Sequence, residues 1–155
     1  MVPVRLRPVL AGVLLALAMA GAAHATQDWL PVGETDELQD YLDSASVTRH
    51  GDRVSAWFMD NFFVTQDASE AGRTYRSRKS RLHFDCREGL FAVEEVVLFT
   101  RLNGEGRVTG KTPRRRISDL KFEPVPEGSL LADMMDLACD FDEDDDTSPV
   151  PTIRI

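Results

Sequence analysis

From Arg53 to Phe63, Val54, Ala56 and Phe58 fall on one side of an extended chain, and Trp57 and Met59 on the other. Strand side chains alternate between faces. Apolar residues on both sides therefore predict a central strand covered on both faces. From Thr74 to Arg87 the alternation is sharper. Leu82, Phe84 and Cys86 share one face, and Arg81, His83 and Asp85 the other. Glu88 and Gly89 predict a tight hairpin turn, followed by a long strand from Leu90 to Leu102 with Phe91, Val93, Val97 and Phe99 in phase. Asn103 to Gly106 turns the chain again, and Arg107 to Thr109 begins the return.

Shorter apolar stretches predict three further strands: Trp29 to Val32, closed by Gly33; Leu38 to Asp43; and Ile117 to Phe122, before Pro124 and Pro126 break the pattern. Two turns, Asp43 to Ser46 and His50 to Asp52, flank a short segment around Val47. The polar stretch Gln66 to Gly72 reads as a loop. Ser129 to Ala138 has a different period. Leu130, Leu131, Met134, Leu137 and Ala138 recur at helical spacing, and Ser129 is placed to cap them. An antiparallel sheet with an apolar face needs a cover, and this helix supplies one. The expected fold is α+β, mainly β, with one C-terminal helix packed on the sheet.

The first 25 residues stand apart. Arg5 and Arg7 precede an apolar run from Leu10 to Ala20, and Ala23, His24 and Ala25 form a small-x-small site. This is the pattern of a signal peptide cleaved after Ala25. The run is short for a membrane span of about 20 residues, and no cysteine follows it for lipid attachment. The chain is therefore expected to be exported, to the periplasm or the cell surface, with a domain at 26–139 and no transmembrane segment in its mature form. Both cysteines, Cys86 and Cys139, lie in that domain. In an oxidising compartment they have one intramolecular pairing, which ties the helix end to a strand.

The net charge is −8, and the leader holds two arginines and no acid, so the exported part is more acidic still. That balance argues against nucleic acid as a partner. Asp140, Asp142, Glu143, Asp144, Asp145 and Asp146 are six acids within seven residues. With the segment after them they predict an acidic, disordered tail over 140–155. The run lacks the glycine and glutamate that a calcium loop needs at its sixth and twelfth positions, where Asp145 and Pro151 stand.

Several short blocks carry a resemblance. Trp29 opens the domain, and Tyr41, Asp43 and Ser46 follow in "YLDSASVTRHGDRVSAWFMDNF". Tyr75, Ser77 and Lys79 lead into Phe84, Asp85 and Cys86 in "TYRSRKSRLHFDC". Pro124, Pro126, Gly128 and Ser129 precede the helix ending at Cys139. Taken in order, these blocks over residues 29 to 139 resemble the surface-adhesin protein E family of exported proteobacterial proteins. The resemblance implies a curved antiparallel sheet of about six strands, with the disulfide-tethered helix on its concave side. It also implies an adhesin-like, non-enzymatic role toward host extracellular matrix or other envelope macromolecules. The alternative is a periplasmic structural or accessory protein without a host ligand.

Candidate chemistry is sparse. No nucleophile elbow, HExxH or phosphate-cradling loop is present, so no catalytic residue, cofactor or metal site is assigned. His50 in a turn and His83 on a polar strand face both read as solvated surface. The sharpest charge feature is the run Arg114, Arg115 and Arg116. With Arg76, Arg78 and Lys79, and with Arg73 and Arg81 nearby, it forms a candidate basic surface for a protein or acidic polysaccharide. Strand alternation divides these side chains between two faces, and the ordinary reading of such a run is a solvated loop and edge. The mixed charge of the chain suggests a further reading, in which the acidic tail folds onto this surface and masks it.

Overall fold

The computed structural model describes residues 27–68 and 72–141. The leader, its cleavage site and the tail beyond Phe141 lie outside the described residues. An open antiparallel sheet dominates. Its strands are β1 (Trp29–Glu34), β2 (Leu38–His50), β3 (Arg53–Asp67), β4 (Thr74–Asp85), β5 (Leu90–Phe99) and β6 (Val108–Lys111), ordered as in the sequence. A two-residue strand, β7 (Glu123–Pro124), pairs with β5 beside Leu90 and Phe91. One helix, α1 (Leu130–Asp140), follows. Every consecutive strand pair contains a register shift. Such bulges bend the strands and increase their twist.

The central strand is β3, as its two apolar faces require. Val54, Ala56 and Phe58 point toward α1 and join Leu42, Leu82, Phe84, Met134 and Ala138 in the core. Phe58 and Phe84 meet edge to face, with ring centroids 5.9 Å apart, the arrangement that aromatic quadrupoles favour. Gly33 sits at the β1 bulge beneath the helix start. A Cβ there would lie 2.7 Å from the Leu130 side chain, so glycine permits this close approach.

The helix begins where its cap residue predicts. The Ser129 hydroxyl accepts from the Ala132 amide at 3.3 Å and donates to the Pro126 carbonyl at 2.6 Å. Met134 and Ala138 of its apolar stripe are fully buried. At its far end the Cys86–Cys139 disulfide closes, spanning 53 residues of sequence. The Arg49 guanidinium donates to the Cys139 carbonyl, one of the helix-end acceptors without a partner inside the helix.

Three expected elements are corrected. Asp43 to Ser46 is not a turn between two short strands, because β2 runs unbroken through it as a bulge. Ser46 stitches that bulge: its hydroxyl donates to the Asp43 carbonyl at 2.7 Å and accepts from the Trp57 amide at 2.8 Å. Ile117 to Phe122 is not a strand. Ile117–Asp119 is a 3-10 turn, and only Glu123–Pro124 pairs with the sheet. The strand expected from Leu90 also stops at Phe99, and Leu102–Gly104 is a second 3-10 turn.

Candidate functional site

Strand β4 places its basic residues alternately. Arg76 and Arg78 lie on the face that α1 covers, while Lys79 and Arg81 lie on the other. The basic surface anticipated from Arg76, Arg78, Lys79, Arg114, Arg115 and Arg116 is thus divided, and the two sets have different work.

On the helix side, Arg76 donates to the carbonyls of Phe62 and Phe63 at 3.1 and 3.3 Å. Arg78 pairs with the buried Asp60 and stacks 5.6 Å over the Phe62 ring. Both guanidiniums brace the backbone and core of β3.

On the helix-free face, Lys79 passes between two aromatic rings. Its ammonium lies 5.0 Å from the Trp29 centroid and 5.6 Å from that of Phe99, and it donates to Gln27 at 3.1 Å. Burial lowers its pKa, against the attraction of Asp43, and the rings offset part of the desolvation.

Further along this face, Arg53, Arg81, Arg114 and His50 line a groove of about 330 Å³ over His83 and Glu94. The β5 bulge opposite Arg81 and Leu82 lies at Glu94. His83 Nε2 is 2.7 Å from Glu94 Oε2, and Arg114 pairs with Oε1. Burial alone would raise the Glu94 carboxyl, but hydrogen bonds from His83 and Arg114 outweigh it and hold the group below its usual value. The ionised Glu94 accepts, so His83 Nε2 carries the proton. Arg81 donates to the Ser46 carbonyl and the Ser55 hydroxyl, both at 3.0 Å. Burial lowers its pKa, but a guanidinium stays charged.

His83 therefore corrects the expectation of a solvated histidine: it is only 8% exposed and tied to Glu94. His50 is exposed, as a turn residue should be. The loop from Lys111 to Asp119 is exposed throughout. In it Arg116 pairs with Asp119 at 2.8 Å, and the Arg115 amide donates to the Glu94 carbonyl at 3.1 Å. Glu94 was not singled out from the sequence. Its signal is the consecutive acids Glu94 and Glu95 inside an otherwise apolar strand.

Among the described residues no cluster of three or more His, Cys, Asp or Glu side chains is placed to hold a metal ion. No helix among them is long and apolar enough to cross a membrane.

Comparison with known proteins follows the fold. The family model for surface-adhesin protein E matches residues 29–140. No curated protein matches the chain. A structure of Haemophilus influenzae protein E superposes with a TM-score of 0.51 at 13% identity, over 73% of this chain and 91% of that one. A second crystal form of that protein gives 0.53 at 13% identity, over 74% and 96%. At this identity the likeness is one of fold.

Proposed function

The chain belongs to the surface-adhesin protein E family, and from that premise we propose that it is an exported, non-enzymatic, adhesin-like protein that binds an acidic macromolecule through the groove lined by Arg81 and Arg114. The observation that carries this reading is the charge of the groove. Glu94 is its one lining carboxylate, against the lining cations Arg53, Arg81 and Arg114, of which Arg53 also pairs with Asp85 at 3.5 Å. That carboxylate is already engaged by His83 and Arg114. Arg115 extends the positive surface on the exposed loop beside it, where Arg116 is offset by Asp119. In a chain of net charge −8, this local cationic surface favours anionic partners: acidic segments of matrix proteins, envelope macromolecules or a sulfated polysaccharide.

Binding of this kind weakens with salt. The test combines antibody labelling of intact cells with capture of matrix proteins and a sulfated glycan by the purified protein. Surface labelling and salt-sensitive capture are expected. Reversing Arg114, Arg115 and Arg116 to Glu should lower capture at least tenfold. Labelling confined to the periplasmic fraction, with capture unchanged by the reversal, would favour the structural or accessory role instead.

A further inference from the structure

Asp40 and Asp60 face each other across β2 and β3, on the side that α1 covers, and each is 2% exposed. Arg78 continues the row on β4 and is paired with Asp60. Asp40 has no such cation at hydrogen-bond distance, and its Oδ1 is buried without a hydrogen-bond partner. Asp40 meets Asp60 through a carboxyl hydrogen bond that favours its protonated form, yet its other oxygen is buried without a partner and adds a desolvation cost. Packing alone would be better served by apolar residues.

The row lines a pocket of about 350 Å³ between α1 and the sheet, within the size range of small-molecule sites. Its other walls are chiefly apolar, with Leu82, Val93 and Val96 from the sheet and Leu131 and Met134 from the helix. An apolar pocket with its polar groups gathered at Asp40, Asp60, Arg78 and Ser80 fits an amphiphile. The charges select its head group. Asp60 and Arg78 offset one another, so only ionisation of Asp40 leaves the row with an excess negative charge. An ammonium balances that charge, whereas a carboxylate or phosphate cannot.

We propose that this pocket binds an amphiphilic amine, with its ammonium on Asp40 and its apolar body against Leu82, Val93 and Met134. This site is independent of the arginine groove on the opposite face. Burial and the neighbouring Asp60 raise the Asp40 pKa to about 9, although Arg78 opposes them. At neutral pH the carboxyl therefore carries its proton. On binding, that O–H bond breaks and the proton passes to solvent, while an ammonium N–H takes the freed oxygen as acceptor.

The experiment is calorimetric titration of the oxidised protein with octylamine, using octanol and octanoate as matched probes, in buffers of differing ionisation enthalpy. Octylamine is expected to bind at least tenfold more tightly than either control. It should release close to one proton per ligand, with affinity rising toward tenfold per pH unit between pH 6 and 8. Asp40→Asn should lose at least tenfold in octylamine affinity and leave octanol unchanged. Leu131→Trp, which fills the pocket while leaving Asp40 in place, should abolish binding of both. Octylamine binding no tighter than octanol, no proton release, or undiminished affinity in Asp40→Asn would overturn the proposal. The proton count on the unmodified protein decides the matter even if either variant fails to fold.

Discussion

His83 Nε2 lies 2.7 Å from Glu94 Oε2, on a sheet face where both side chains are almost wholly buried. The pair converts a β-bulge into a fixed charge beneath the arginine groove. Glu94 holds Arg114 on its other oxygen, so the loop arginine is positioned from inside the sheet.

This arrangement has an acid limit. The folded chain keeps Glu94 below its ordinary value of 4.5. As pH falls, the unfolded chain binds this proton first. The stability due to Glu94 is therefore complete above its unfolded value and is lost as pH drops through the lowered one. Glu94→Gln should cost about 2 kcal/mol at pH 7, the scale of a charge-assisted hydrogen bond. It should also flatten the acid limb of a urea-denaturation series from pH 7 to pH 3. An unchanged limb would mean that another carboxylate sets acid sensitivity.

Asp40 predicts the opposite slope. Its pKa is raised from 3.8 to about 9 in the folded chain. Between those values the unfolded chain has lost a proton that the folded chain keeps. Stability at this site is greatest below the unfolded value and falls as pH rises through the folded one. The slope approaches about 1.4 kcal/mol per pH unit where the difference is one full proton. Asp40→Asn keeps the side-chain shape and donates to Asp60 without titrating. It should melt close to the parent near pH 4 and above it at pH 9. Parallel melting curves for the two proteins across that range would contradict the buried protonated carboxyl.

The contrast between these two acids shows what the sequence carried and what it did not. The helix was legible because Leu130, Leu131, Met134, Leu137 and Ala138 repeat with its period and Ser129 supplies the cap. The disulfide was legible because two cysteines in an exported chain have one intramolecular partner each. The division of the basic residues also followed from strand alternation at Arg76, Arg78, Lys79 and Arg81. The Ser46 bulge was not legible. Asp and Ser stitch turns and bulges with the same side-chain bonds, and only pairing with Trp57 distinguishes them. His83 was misjudged because alternation identifies a polar face without saying what covers it. Here the bulge at Glu94 and the loop carrying Arg114 cover it. Asp40 lies in the alternating stretch of β2, and its burial depends on where α1 docks, a long-range fact that no local pattern contains.

The docking of α1 leads to the last prediction. The helix is short, and isolated helices of fewer than about 12 residues are marginal in water. Its hold on the sheet comes from Met134 and Ala138 in the core, the Arg49 bond to the Cys139 carbonyl, and the Cys86–Cys139 link. A bridge spanning 53 residues is worth roughly 4 kcal/mol in the chain-entropy model, with about 2 kcal/mol a realistic lower figure. That is a large share of a typical net stability of about 5–15 kcal/mol. Replacing both cysteines with alanine should lower the urea midpoint accordingly. Protease should then cut first between Gly128 and Asp140, because the helix loses its covalent end before the sheet loses its pairing. Reduction of the unmodified protein should reproduce both effects, and reoxidation should reverse them. A reduced protein that resists protease along α1 as well as the oxidised one would show that apolar packing alone holds the helix, leaving the disulfide without a structural role.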